Sequence, residues 1–403
     1  MNNRGLRTLL LTLAYPHRAS YYDDWRHAFE ASPHFDCQVQ NILNLRPKRL
    51  ERRLRDFDAV ILLHSCSSDT LDYLLPLAPA LAARPRAKFF AFIGNEFNSP
   101  YVSMARRIAF LRDARADFAA TQLLLDAGEF LYKAPSCRVV SIPHALNPLA
   151  FQPGAASRNR RTDIGFKGFR YPPYLGDDDR NRMLQAVSDG AGRFDLKTDI
   201  SEDQRLDRED WATFLGNCRA TISTETGSWY LEPDDTLMRE IHAYLRSKHS
   251  GPTLYSDGVL RRLARRLPNS VKSVLWQVLK RGPVKFEMFE DFNTGFEELN
   301  ERFFINRPRA PVYSKAVSSR HFDAIGKTTC QILLEGRYND ILVPGQHYIS
   351  VKPDFSNIDD AIRQSQDHSL TDAMTKATYD YVMAAHTHEH RAREIHSLLV
   401  STP

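Results

Sequence analysis

Short apolar, β-prone runs alternating with helical patterns constrain this chain more than any other feature. In the first 150 residues the runs fall at 7–14, 37–42, 59–64, 87–93, 118–121 and 138–142. Alternation of this kind predicts an α/β fold with a doubly wound parallel sheet. Loops at the carboxyl ends of such strands border the ligand crevice. Here those loops carry Tyr15-Pro16-His17, His64-Ser65-Cys66, Gly94-Asn95-Glu96 and Pro143-His144.

Residues 147–161, with Pro148, Pro153, Gly154 and a run of small and basic residues, break both periodicities and read as a linker. A second series follows: strand 162–167, helix 179–187, strand 194–198, helix 211–218 and strand 220–223. After a long interruption come a helix at 321–327, strands 330–334 and 348–351, and helices 358–366 and 370–399. The expected organisation is two Rossmann-like domains facing across a cleft, 1–150 and 151–403, with an insertion at 227–318 and a last helix, 370–399, returning to the first domain. A length of 403 residues suits two such cores.

Composition narrows the function. The 42% hydrophobic and 26% charged residues support packed cores, and a net charge of +5 spread among both signs argues against a dedicated nucleic-acid binder. No stretch reaches the roughly 20 apolar residues of a transmembrane helix, and the apolar run 9–14 is read as a first strand rather than a leader. Cys37, Cys66, Cys137, Cys218 and Cys330 lack C-x-x-C spacing and are expected as reduced core thiols of a cytoplasmic protein.

The interruption is too long for an ordinary connection, which marks it as functional or as a small subdomain. From 261 to 285 it holds eight basic and no acidic residues, with apolar residues at helical spacing on either side of Pro268. Two readings share this pattern: a basic amphipathic helix lying on an anionic membrane through 259–285, peripheral on the inner face of the cytoplasmic membrane, and a solvated helix pair.

Several phrases carry a family likeness. They are Ser141-Ile142-Pro143-His144-Ala145-Leu146-Asn147 through Phe151-Gln152-Pro153, Asp163-Ile164-Gly165-Phe166-Lys167-Gly168, and Ser319-Arg320-His321-Phe322-Asp323-Ala324 through Ile332-Leu333-Leu334-Glu335-Gly336 to Asp354-Phe355-Ser356-Asn357. Over most of the chain this order resembles the GT-B glycosyltransferases, particularly the branch of CgeB-like spore-maturation transferases. The resemblance implies a metal-independent glycosyltransferase with no cofactor. It would move a sugar from a nucleotide-sugar donor to a surface polysaccharide, a lipid-linked or a protein acceptor. It also implies that Asp323 stands where the family's F-E-A Glu faces the ribose, and that Lys315 stands where the first Glu of an E-x7-E signature falls. Retention and inversion both stay open.

Elementary chemistry names the other candidates. Without a metal, a leaving diphosphate needs cations, backbone N–H groups and a helix N-terminus. Lys167, Gly168, Arg170, Arg320 and His321 are placed at strand ends or a helix start, and Glu225 follows a strand within reach of a sugar. A general base for an acceptor hydroxyl is sought in the first domain: Glu96, then His64, with His17 and His144 in the same set of loops. The Gly residues at 94 and at 165 and 168 do not make a G-x-G-x-x-G fingerprint. His386 and His390, at i, i+4, lack a third metal ligand and are read as part of an exposed helix. Two rivals remain beside the transferase: a catalytically silent nucleotide-binding relative and a sugar-phosphate enzyme of the same fold.

Overall fold

The computed structural model describes residues 5–13, 20–68, 70–99, 102–133, 136–248, 253–254, 285–286 and 294–401. The 259–285 segment, apart from its last residue, and His17 lie outside these residues.

The first half is a six-stranded parallel sheet built from β1 (Leu6–Thr12), β2 (Phe35–Asn41), β3 (Ala59–Leu62), β4 (Lys88–Phe92), β5 (Phe118–Thr121) and β6 (Arg138–Ser141), in the order β2-β1-β3-β4-β5-β6. Strands buried on both faces are apolar at successive positions, and β1 shows the consequence. Leu9 and Leu11 join one core with Val60, Leu62 and Phe89, while Leu10 joins the opposite core with Ile61, Phe90 and Phe92.

The second half is a five-stranded parallel sheet of β7 (Thr162–Lys167), β8 (Thr198–Ser201), β9 (Cys218–Ser223), β10 (Cys330–Leu334) and β11 (Ile349–Val351), ordered β11-β10-β9-β7-β8. Its helices are α4 (Asp179–Arg193), α5 (Arg208–Asn217), α7 (Ser319–Gly326), α8 (Ile358–Gln366) and α9 (His368–Ala385). Those of the first half include α1 (Ser20–Ala31), α2 (Met104–Asp113) and α3 (Leu125–Tyr132). The fold is thus α/β with two Rossmann-like parallel sheets, as the strand pattern implies.

Three expectations are corrected. The strand read at 194–198 begins at Thr198, because α4 runs on to Arg193, Phe194 N–H caps it on the Gly190 and Ala191 carbonyls, and Asp195 turns the chain at φ 53°. The helix read at 370–399 is two helices. It breaks at His386, and Leu146 forms a parallel bridge with Thr387 before α10 (His388–Ser401) begins. The interruption at 227–318 is not confined to the second half: α6 (Thr236–Ser247) packs Leu237, Ile241 and Leu245 on Leu299 and Phe304, while Leu231 and Ala316 sit in the first sheet's core. Asp235, at φ 59°, reaches the start of α2, accepting from Met104 N at 2.7 Å, Ala105 N at 3.1 Å and Ser103 Oγ at 2.6 Å. It caps that helix from the far half of the sequence.

Helix α10 closes one face of the first sheet: Ala392, Ile395 and Leu399 share a core with Leu10, Trp25, Ile61 and Phe92. Ile395→Ala is expected to lower unfolding free energy by about 2–5 kcal/mol. Val400→Ala, on the same helix at a site 56% exposed, should stay within ~0.5 kcal/mol. Denaturant titration of both variants checks this.

Candidate active site

Both sheets share the strand order 2-1-3-4-5, so each has a switch point beside its first strand. Open sheets of this kind bind ligands outside the carboxyl ends of strands at such points. Between the halves lies a cleft that is open to solvent. The first half supplies the loops after β4, β5 and β6, with Asn95, Glu96, Gln122 and His144. The second supplies Arg180 from α4, Arg205, Trp211 from α5, and Ser318, Ser319, Arg320 and Asp323 at α7.

Three guanidiniums meet there. Arg320 donates through Nη1 to the Lys167 carbonyl at 2.6 Å, and its Cζ stands 4.9 Å from the Trp211 ring centre, which fixes the planar group. A Cβ at residue 168 would lie 2.8 Å from the Phe166 ring and 3.3 Å from Arg320 Nη1, so Gly168 is needed for this approach. Arg180 lies 3.8 Å over the Tyr171 ring and donates to its hydroxyl at 2.9 Å, while its Nε is buried without a partner. Arg205 is exposed at the rim. Burial first, then Arg180 and Arg205, hold the Arg320 guanidinium down at about 10.

The nearest carboxylate is Asp323, whose Oδ2 accepts from Trp211 Nε1 at 2.9 Å. Burial pushes its carboxyl well above the usual range and Asp24 adds to the rise, against the pull of Trp211, Arg320 and Arg208. Asp24, on α1, accepts from Asn147 Nδ2 at 2.7 Å and pairs with Arg208 of α5, tying the two halves together beside the cleft. Its carboxyl is raised to about 6, mainly by burial.

Glu96 lines the first-half wall. Its Oε1 accepts from Tyr132 OH and its Oε2 from Gln122 N, both at 2.6 Å, so it braces the loops after β4 and β5. Burial raises it to about 7 against those hydrogen bonds. His64, expected beside it, is fully buried behind the cleft: its ring packs on Trp25 and Phe92, and neither nitrogen has a hydrogen-bond partner. His144 does line the cleft, with Nδ1 accepting from Trp25 Nε1 at 3.4 Å.

The remaining sequence candidates are distributed differently from expectation. Lys167 pairs with Asp199 and Arg170 with Glu202, and neither lines the cleft. Arg180 and Arg205 take the positions expected of them, and no strand-end pattern marks either residue in the sequence. Glu225 is buried and holds the start of a turn, accepting from Tyr338 N at 2.6 Å and from Tyr313 OH. His321 is buried, and its Nδ1 accepts from Ser318 N at 3.0 Å as part of the α7 cap. Lys315 points away into ion pairs with Asp177 and Asp179, each at 2.6 Å.

The His386 and His390 pair does not share a helical face, since the helix breaks between them. His388 packs on Trp25, and His390 bonds Thr387 Oγ1 at 2.7 Å. Among the described residues no three His, Cys, Asp or Glu side chains gather as a metal site.

No family model matches the chain, and no curated protein matches it. Solved structures align over almost its whole length. Sucrose-phosphate synthase (tll1590) from Thermosynechococcus elongatus is 12% identical, covering 98% of each chain, with a TM-score of 0.47. Anabaena Alr3699/HepE in complex with UDP-glucose is 10% identical over 98% of this chain and 100% of the other, at 0.48. A glycosyltransferase from Rickettsia africae ESF-5 is 10% identical over 99% and 100%, at 0.42.

A carboxyl raised on folding favours the protonated native state, so the Glu96 contribution to stability is full below pH 4.5 and is lost as pH rises through about 7. Glu96→Gln keeps the protonated shape without the titration. Relative to wild type, the variant should gain up to about 3 kcal/mol across that window, from the size of the shift. Denaturant unfolding of both proteins at each end of the window measures it.

Proposed function

We propose that the chain is a metal-independent glycosyltransferase that uses a nucleotide-sugar donor. The observation that carries this reading is the meeting of Arg180, Arg205 and Arg320 in one cleft, with the carboxylate of Asp323 beside them and Glu96 on the opposite wall. Like charges held together and partly desolvated repel one another, and a bound polyanion converts that repulsion into attraction. A diphosphate presents the matching charge and accepts the forked hydrogen bonds that guanidiniums supply. The start of α7, fixed by the Ser318 and His321 cap, adds the positive end of a helix dipole.

In this reading the donor's phosphates lie among the three arginines and its ribose hydroxyls face the free oxygen of Asp323. The guanidiniums then stabilise the charge that develops on the departing nucleoside diphosphate, the task a metal performs elsewhere. Glu96, across the cleft and poised near neutrality, serves as the base that takes the proton of the acceptor hydroxyl. His64, sealed behind the cleft, is left out. The acceptor is a surface glycan, a lipid-linked saccharide or a protein.

Calorimetric titration of UDP, GDP, ADP and CMP and their sugars, with and without Mg²⁺, tests the reading. One nucleotide is expected to bind saturably with equal affinity in both conditions. Arg180→Ala and Arg320→Ala should each weaken it by about 10- to 100-fold, the worth of a charge-assisted hydrogen bond, whereas Lys167→Ala should change it less than about twofold because Asp199 already holds that cation. Absence of binding by every nucleotide would sink the proposal. With the donor in hand, Glu96→Gln should cut turnover by about 10²-fold or more while leaving nucleotide affinity intact.

A further inference from the structure

A second concentration of positive charge lies on the first half, in residues that do not line the cleft. Residues 46–56 hold six Lys or Arg against two acids, Glu51 and Asp56, a net charge of +4. They form a short helix, Pro47–Arg53, and the turn after it. Leu50 and Leu54 anchor it, both fully buried in the first sheet's core. Arg53 is spent on the fold: it donates to Gln40 Oε1 at 2.5 Å and Gln38 Oε1 at 3.2 Å, with its guanidinium 5.9 Å from the Phe57 ring centre.

The other five, Arg46, Lys48, Arg49, Arg52 and Arg55, are all exposed, and none of their side chains makes a hydrogen bond or ion pair with a described residue. The segment follows β2, the outermost strand of its sheet, so no neighbouring strand covers it. Leu43, 43% exposed, stands at the turn that leads into the helix.

We propose that this face docks the protein on an anionic phospholipid surface. A charged bilayer acts on every nearby cation without requiring a pocket, which suits five exposed side chains spread over a short helix and the turn after it. Each contributes about 1 kcal/mol at such a surface. Leu43 adds an apolar contact of the kind that amphipathic segments place at the headgroup boundary. Nucleic acid fits less well: the segment has no aromatic residue, and Phe57 just after it is buried and offers no ring for base stacking. The docked face belongs to the half that presents Glu96, so the cleft's acceptor wall is held by the membrane-bound part of the molecule.

Vesicle flotation of the full chain decides the matter, with phosphatidylcholine alone and with phosphatidylglycerol added. Wild type is expected to float only with the anionic vesicles and to detach as salt is raised. A variant carrying Lys48→Gln, Arg49→Gln, Arg52→Gln and Arg55→Gln should partition about 600-fold less, at about fivefold per cation, with an unchanged thermal unfolding curve. A second variant, with Arg261, Arg262, Arg265 and Arg266 changed to Gln, should keep most of its partition. The proposal is overturned if wild type ignores anionic vesicles, if the first variant floats as wild type does, or if the first variant loses affinity for duplex DNA and not for vesicles.

Discussion

A parallel sheet has two apolar faces to cover, and one face of the first sheet is closed by a helix the chain makes last. Ile395 and Leu399 pack on strands more than three hundred residues earlier. The constraint reaches the cleft through the segment that delivers the helix. Leu146 N–H donates to the His386 carbonyl at 2.9 Å and His388 N–H to the Leu146 carbonyl at 3.0 Å, which stitches the outgoing linker to the returning chain. Asn98 and Glu232 exchange hydrogen bonds as well, so the halves are joined at more than one place. The walls of the cleft are therefore set by the fold rather than by a ligand.

Inside these walls the charges do not cancel. Elsewhere in the second half several cations are matched by acids: Lys315 lies between Asp177 and Asp179, Arg219 on Asp163, Arg193 on Asp359. At the cleft three guanidiniums face two carboxylates, Asp323 and Glu96, both of which burial biases towards the neutral form. Folding tolerates this because Arg320 and Arg180 are spread over Trp211 and Tyr171, whose ring faces attract cations. The aromatic platforms hold the charges in place without neutralising them, which is what separates an anion site from a structural salt bridge.

Most of the fold was legible because buried parallel strands advertise themselves: runs such as Leu9-Leu10-Leu11 and Val60-Ile61-Leu62 have no other economical place. The candidate site was legible only in part. Arg320, Asp323 and Glu96 follow or precede strands closely enough for local pattern to place them at the cleft. Lys167 and Arg170 look equivalent in sequence, and what removes them is register. Because β8 starts at Thr198, Gly165 pairs with Asp199 and Lys167 with Ser201, and the carboxylates of Asp199 and Glu202 arrive beside both cations. Reading the strand at 194–198 hides those partners. Arg180 and Arg205 carry the opposite lesson: they sit in polar, acid-rich surroundings along the chain, and only tertiary packing brings them to Arg320.

The same cleft links charge to the posture of the two halves. Arg208 pairs with Asp24 across the interface and also acts on Asp323, so one guanidinium serves an interdomain tie and the carboxylate beside the anion site. An anion bound among Arg180, Arg205 and Arg320 sets more negative charge beside Asp323 and so reinforces the upward push that burial already exerts on its carboxyl. The coupling is reciprocal by linkage: the neutral form of Asp323 leaves the guanidiniums unopposed and favours the anion.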